Sequence, residues 1–242
     1  MPDELVDADQ QVVDGRPAAS VRTPLSRERI VEAAVAFIDE SGLPGLSMRR
    51  LGESLGVEAM SLYRYVAGRE VLLDAVVDAI VAEMSTDEDV LDIPRDGWQD
   101  FLQRLAHGVR RVALAHPNAF PLVASRPAEA PWLRPPLRSL RWVEAFLEGL
   151  RSEGFSDQAA VAAYRAFSSF LLGHLLLEVA ALGADVGPLD VLDQGEEIDK
   201  SLADYPTVQR LRRSLAEDHS ALEFEDSLEE LINRIALRHS ES

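Results

Sequence analysis

Apolar positions recur at helical spacing along almost the whole chain. In "SRERIVEAAVAFIDESG", Ile30, Ala34, Phe37 and Ile38 fall at i, i+4, i+7 and i+8, the mark of an amphipathic helix. Ser26 is a residue type that caps helix N-termini, and Gly42 one that ends helices. "GLPG" predicts a tight connection to Ser47, a second N-cap, and then a short helix from about Met48 to Leu55 that stops at Gly56. In "GREVLLDAVVDAIVAEM", Leu72, Val76 and Ile80 share one face. A further helix starts at Trp98 and ends at His116-Pro117, because proline disfavours the helical conformation in the residue before it. The proline-punctuated loop "RPAEAPWLRPP" leads into a helix that reaches about Ser152, with Gly154 as its stop. An apolar helix covers about Asp157 to Leu182, and two more cover about Thr207–Asp218 and Leu222–His239. Strand-like alternation is almost absent, so the expected fold class is all-α.

The segments between these patterns set the domain boundaries. Residues 1–22 are polar and acidic with no sustained period, and read as a disordered arm. Residues 23–70 hold the short helices of a head, and 71–242 the longer helices of a body. The acidic stretch from Asp185 to Asp204 is long for a connection in a compact domain. It lacks the ligand spacing of a calcium loop and reads as a solvated charge run.

Composition narrows the function. The chain has 242 residues, a formal net charge of −18 and no cysteine, which excludes disulfides and thiolate metal sites. No uninterrupted apolar run is of bilayer length, and "MPDELVDADQ" is acidic rather than signal-like, so the expectation is a soluble, cytoplasmic protein with no membrane partner. Lys200 is the only lysine. Any phosphate contact must therefore come from guanidinium, hydroxyl or backbone groups.

Such groups gather in one place. Leu51, Leu55, Val57 and Leu62 supply the apolar positions for two short helices packed at a steep angle, with Gly56 at the turn and Gly52 where the helices approach. Ala59, Met60, Ser61, Tyr63, Arg64 and Tyr65 are left to face outward. Ser61 and the tyrosine hydroxyls suit phosphate oxygens, Arg64 suits phosphate or a guanine edge, and Met60 or Ala59 a thymine methyl. Arg49 and Arg50 open the preceding helix and Arg69 the following one, where free backbone N–H groups already favour an anion. From Ser47 to Arg69 only Glu53 and Glu58 oppose these four arginines, so the local face is basic in an acidic protein.

From about Leu25 to Ala75 the sequence resembles the TetR family of bacterial transcriptional regulators, through "IVEAAVAFIDESG", "GLSMRRLGESLGV", "LYRYV" and "GREVLLDAV". "WQDFL" at Trp98, "SRP" at Ser125, "SEGF" at Ser152, "LLG" at Leu171 and "FEDSLEELINRI" from Phe224 resemble the body of its tetracycline-repressor branch. The resemblance implies DNA contact by Arg49, Ser61, Tyr63, Arg64, Tyr65 and Arg69, and operator choice by Ala59 and Met60. It implies a homodimer on a palindromic duplex operator, with two heads about 34–36 Å apart, released by a small-molecule effector. That branch grips a magnesium chelate, but here Leu122 stands at its histidine position, and Leu105, Val109 and Phe146 stand where it has asparagine, phenylalanine and glutamine. With Val143 and Phe170 these positions make an apolar or aromatic wall, leaving Arg126 and His174 as polar groups. The expected effector is apolar or aromatic, bound without metal or other cofactor. His174 is open to two readings, a hydrogen-bonded core residue or a pocket group. Ala160, Ala163 and Phe167, with Leu228, Leu231, Ile232 and Ile235, are the expected dimer interface.

Two rival readings remain. The five histidines form no H-x-x-x-H pattern, and there is no phosphate-binding glycine loop or G-x-S-x-G elbow, so the sequence offers nothing for an enzyme. A constitutive DNA-binding regulator without a ligand is the alternative, and an interior cavity in the body discriminates against it.

Overall fold

The structure is a computed structural model, and it describes residues 24–86, 94–126, 132–135, 139–186 and 204–240. The expected acidic arm and most of the acidic 185–204 stretch lie outside the described residues. Those described form α-helices and one 3-10 turn, with no strand among them. The head comprises α1 (Arg27–Ser41), the 3-10 turn (Leu43–Gly45), α2 (Met48–Leu55) and α3 (Ala59–Leu62). The longer α4 (Arg69–Thr86) joins it to a body of α5 (Trp98–Ala115), α6 (Phe120–Ser125), α7 (Leu140–Ser152), α8 (Asp157–Ala181), α9 (Pro206–Leu215) and α10 (Ser220–Ser240).

Local chemistry explains the boundaries. The Ser26 hydroxyl accepts from Arg29 N at 3.2 Å and the Ser47 hydroxyl from Arg50 N at 3.2 Å, each filling an otherwise orphan donor at a helix start. Gly56 ends α2 in the left-handed region at φ 68°, a conformation that costs glycine little. At Gly52 a Cβ would lie only 2.9 Å from Val57 O and 3.2 Å from Ala59 N, so the absence of a side chain is what lets α3 settle on α2. The α5 helix ends at Ala115 with His116 as its C-cap, as the proline after it requires. The short α6 lies between the expected helix stop at His116-Pro117 and the proline-punctuated loop that begins at Arg126, in a stretch the sequence assigns to no element. Its six residues are too few to show a period, yet Phe120 and Leu122 are buried there.

The core is continuous from head to body. Ile30, Ala34 and Ile38 of α1 and Leu51 and Leu62 of the short helices meet Leu72, Val76 and Ile80 of α4. The core continues through Leu102 and Leu105 to Phe146, Phe167 and Leu175. By length and composition α8 is apolar enough to cross a membrane, its best window having a mean hydropathy of 1.4. Its apolar run is not uninterrupted, since Arg165 and Glu178 lie within it. In the fold α8 packs against α5, α6, α7 and α10, as the central helix of a core does. By contrast α9 is exposed along its whole length, including Val208, Leu211 and Leu215.

Candidate nucleic-acid interface and ligand cavity

The residues left outward by the head's core share one face. Met60 is 71% exposed, Tyr63 and Tyr65 are exposed, and Ala59 and Ser61 are half-buried where α3 meets α2. Tyr63 to Tyr65 do not continue the helix. They sit in a tight turn, with Tyr65 N and Val66 N both donating to Leu62 O, at 2.9 and 3.0 Å. Buried Val66 and Leu62 anchor that turn and leave the intervening side chains in solvent. Arg64 makes no hydrogen bond or ion pair among the described residues, whereas exposed Arg49 lies 3.6 Å from Glu53.

Arg50 and Arg69 are differently placed from the free anion-facing groups expected of them. The Arg50 guanidinium donates to Gly45 O at 3.0 Å and lies 5.4 Å from the Phe37 ring centroid. Arg69 donates from Nε to Leu46 O at 3.3 Å and stands 3.7 Å from Glu70. Both hold the backbone of the turn that leads into α2. The spacing of arginines along the chain carries no mark of such carbonyl partners.

In the body, helices α4 to α8 line a cavity that opens to solvent. Its walls are Val81 and Met84 of α4, Leu105 and Val109 of α5, Phe120 and Val123 of α6, Trp142 and Phe146 of α7, and Tyr164, Phe167, Ser168, Leu171 and Leu172 of α8, with Ser139 beside them. Phe146 meets Tyr164 edge-on at 5.8 Å and Phe167 at 5.4 Å. Among the described residues, no lining side chain carries a formal charge. The Tyr164 hydroxyl donates to Pro135 O at 2.9 Å, and burial pushes its pKa up while a bond with Ser168 pulls the other way. The Trp142 indole Nε1 is buried with no partner among the described residues.

Of the expected ligand residues, Leu105, Val109 and Phe146 line this cavity; Leu122, Arg126, Val143, Phe170 and His174 do not. Leu122 and Val143 are ordinary core. Arg126 instead ties α6 to the start of α4: its Nη1 donates to Glu70 at 2.9 Å and stands 3.8 Å from Asp74. His174 belongs to the joint between α8 and α10, 5.2 Å from the fully buried Phe224 ring, with Phe170 on the same side. The missed lining residues include Trp142, one helical turn before Phe146, and Leu171, one turn after Phe167. That spacing is a signal the sequence does carry.

Phe167, an expected interface residue, is thus a cavity wall. Ala160, Ala163, Leu228, Ile232 and Ile235 are also buried within the single chain, where α10 packs on α8, and Leu231 is half-buried there. Ala160, Phe167, Leu228 and Ile232 hold the subunit's own core, which corrects the expectation that they face a partner, whereas Ala163, Leu231 and Ile235 also border an open groove. Val161 and Leu177 of α8 and Leu237 of α10 are apolar side chains that stay exposed. Between the same helices runs a groove lined by Ala159, Ala162, Ala166, Leu231, Arg234 and Arg238, with His239 stacked on Phe155 at 4.0 Å.

Comparison with known proteins follows the same division. Residues 30–76 match the family model described as bacterial regulatory proteins, tetR family, and residues 92–237 match the tetracyclin repressor-like C-terminal domain. The HTH-type transcriptional repressor DrrR1 of Streptomyces coeruleorubidus is 33% identical over 158 residues, which are 65% of this chain and 55% of that one. The match thus spans about half the length of that relative. A possible TetR family transcriptional regulator from Streptomyces coelicolor A3(2) aligns with a TM-score of 0.68 at 30% identity, over 88% of this chain and 99% of its own. The Streptomyces coelicolor TetR family protein ActR, in complex with actinorhodin, aligns with a TM-score of 0.63 at 26% identity, over 89% and 97%. Such homologues are transcriptional regulators and not enzymes. The chain therefore belongs to the tetR family of bacterial regulatory proteins, with a DNA-binding helix-turn-helix head and a tetracyclin repressor-like body.

Proposed function

We propose that this regulator is a homodimeric repressor that binds a palindromic operator and leaves it when a neutral aromatic molecule enters the body cavity. The observation that carries the reading is the position of α4. One end of it begins at Arg69 beside the exposed Tyr63–Tyr65 face, and the other end supplies Val81 and Met84 to the cavity wall. A ligand that favours one position of α4 changes the spacing of two heads, and its effect equals its differential affinity for the two spacings. The cavity favours this over a constitutive regulator, and ActR in complex with actinorhodin is a precedent for a small-molecule ligand in such a fold. Apolar walls reward buried area, at about 25 cal/mol per Å², over directed polar contacts. Val161, Leu177 and Leu237 with the adjoining groove are the surface assigned to the partner subunit.

Enrichment of duplexes from a random-sequence pool tests the DNA half: the recovered site should be palindromic. Arg64→Ala and Tyr63→Ala, both at exposed positions, should weaken binding to that site without altering the melting temperature. Arg64→Ala should cost about 1–3 kcal/mol and relax base preference if it reads a base edge. Wild-type affinity in either variant would move the DNA face elsewhere.

The effector half is tested by calorimetry followed by release of that duplex. A neutral hydroxyanthraquinone should bind without metal and release the DNA. Tetracycline with magnesium should give no comparable heat, because the cavity walls offer aliphatic and aromatic groups where a chelate needs ligating ones. Tight, metal-dependent tetracycline binding would overturn this half of the reading.

A further inference from the structure

The corner between α5 and α6 holds a side chain whose contacts all lead away from its own helices. His116 closes α5 through its backbone N–H, which donates to Val112 O at 3.0 Å. Its carbonyl opens α6 by accepting from Ala119 N at 3.1 Å and Phe120 N at 2.8 Å. The imidazole then reaches out of the body. Nδ1 lies 2.7 Å from Asp39 in the last turn of α1, and Nε2 lies 3.0 Å from Glu83 near the end of α4. Asn118 reinforces the join by donating to the Asp39 carbonyl at 2.9 Å.

Two carboxylates on one imidazole require two N–H donors, so the ring is held as imidazolium. Its pKa is pushed up to about 9, chiefly by the bond to Asp39, with burial opposing and Glu83 adding to the rise. The charged groups around the ring are Asp39 and Glu32 of α1 and Glu83 of α4. Arg111 of α5 shares the neighbouring cleft with Glu83. The side chains of His116 and Asp39 are 17% and 24% exposed, so solvent screens that pair weakly, whereas Glu83 is 52% exposed and its pair is the weaker one.

We propose that His116 is a positioning residue for DNA binding: it pins the head to the body by joining the ends of α1 and α4 to the corner from which α6 departs. The proposal rests on the operator-binding reading above. α6 also lines the cavity through Phe120 and Val123, and its far end grips Glu70 through Arg126. With one end pinned, displacement of α6 by a ligand turns it about His116 and is felt at the Arg126 end, beside the start of α4.

The test uses a duplex enriched by the wild-type protein, with His116→Gln, which removes the charge, and His116→Arg, which keeps it. At about pH 7.5 the glutamine variant should bind roughly tenfold more weakly and the arginine variant should recover most of the loss. The sign of the pH dependence follows from the raised value. The pin contributes in full below the ordinary histidine value of 6.5, declines above it and is lost as pH rises through about 9. The wild-type advantage over His116→Gln should therefore vanish by about pH 10, while that of His116→Arg persists. In the free protein, amide exchange in the last turns of α1 and α4 should quicken in His116→Gln more than in the rest of the fold, and His116→Arg should slow it again. Equal binding by wild type and His116→Gln, or a ratio constant across that pH range, would overturn the pin. Failure of the wild type to enrich any duplex would instead remove the operator reading, and the pin with it.

Discussion

Alanine at position 52 is expected to abolish operator binding. The new Cβ would stand 2.9 Å from Val57 O, 3.2 Å from Ala59 N and 3.3 Å from Ala59 Cα, all backbone atoms that no rotamer change can move aside. Relief requires α3 to lift from α2, and that breaks the bond from Val57 N to Gly52 O, now 2.9 Å. Overpacking of this kind costs about 1–3 kcal/mol, against which the better helix propensity of alanine returns about 1 kcal/mol. The functional loss should exceed the stability loss, because a shift of about an ångström at α3 carries Met60 and Tyr63 out of register with a groove. Thermal melting and binding to the enriched duplex separate the two effects. Unchanged affinity in Gly52→Ala would show that the two helices do not need this approach.

The other large effect lies at the joint between α5, α8 and α10. Arg110 donates from Nε to Glu178 at 3.0 Å and from Nη2 to its second oxygen, and its guanidinium lies 5.1 Å from the Phe224 ring centroid. The bond to Glu178 raises the arginine pKa further, outweighing burial. Glu178 has a side chain only 7% exposed. Arg110→Ala leaves that carboxylate buried without its cation, an arrangement that costs about 3–5 kcal/mol. Replacing both residues by leucine should recover most of the loss, since an apolar pair has no charge to desolvate. Urea unfolding of the two variants decides it: a single mutant as stable as wild type would mean that solvent reaches Glu178 in the folded chain.

The parts of this fold that were legible in the sequence are those set by local chemistry. Serines 26 and 47 announced their helices because an N-cap acts within three residues, and Gly52 and Gly56 announced a close approach and a turn for steric reasons equally local. The exposed set at 60, 63, 64 and 65 followed by subtraction once Leu62 was assigned to the core. What escaped depends on partners distant in sequence. The period Phe224, Leu228, Ile232, Ile235 states that α10 has an apolar face, but a period is silent on whether that face meets its own α8 or another subunit's. Arg50, Arg69 and Arg126 also hold two backbone carbonyls and Glu70, acceptors that leave no compositional trace. His116 was read only as a helix stop, since Asp39 and Glu83 belong to segments 77 and 33 residues away.

The placement of Trp142 in the cavity wall also has an optical consequence. The chain has three tryptophans. Trp98 is packed against Phe155, Trp132 is 75% exposed, and Trp142 borders the empty space. An aromatic quencher entering that space would stand against one indole, close enough to quench its emission by energy or electron transfer. With Trp98 and Trp132 replaced by phenylalanine, the remaining fluorophore would report occupancy in unlabelled protein, free or on DNA, and so time ligand entry separately from release of the duplex.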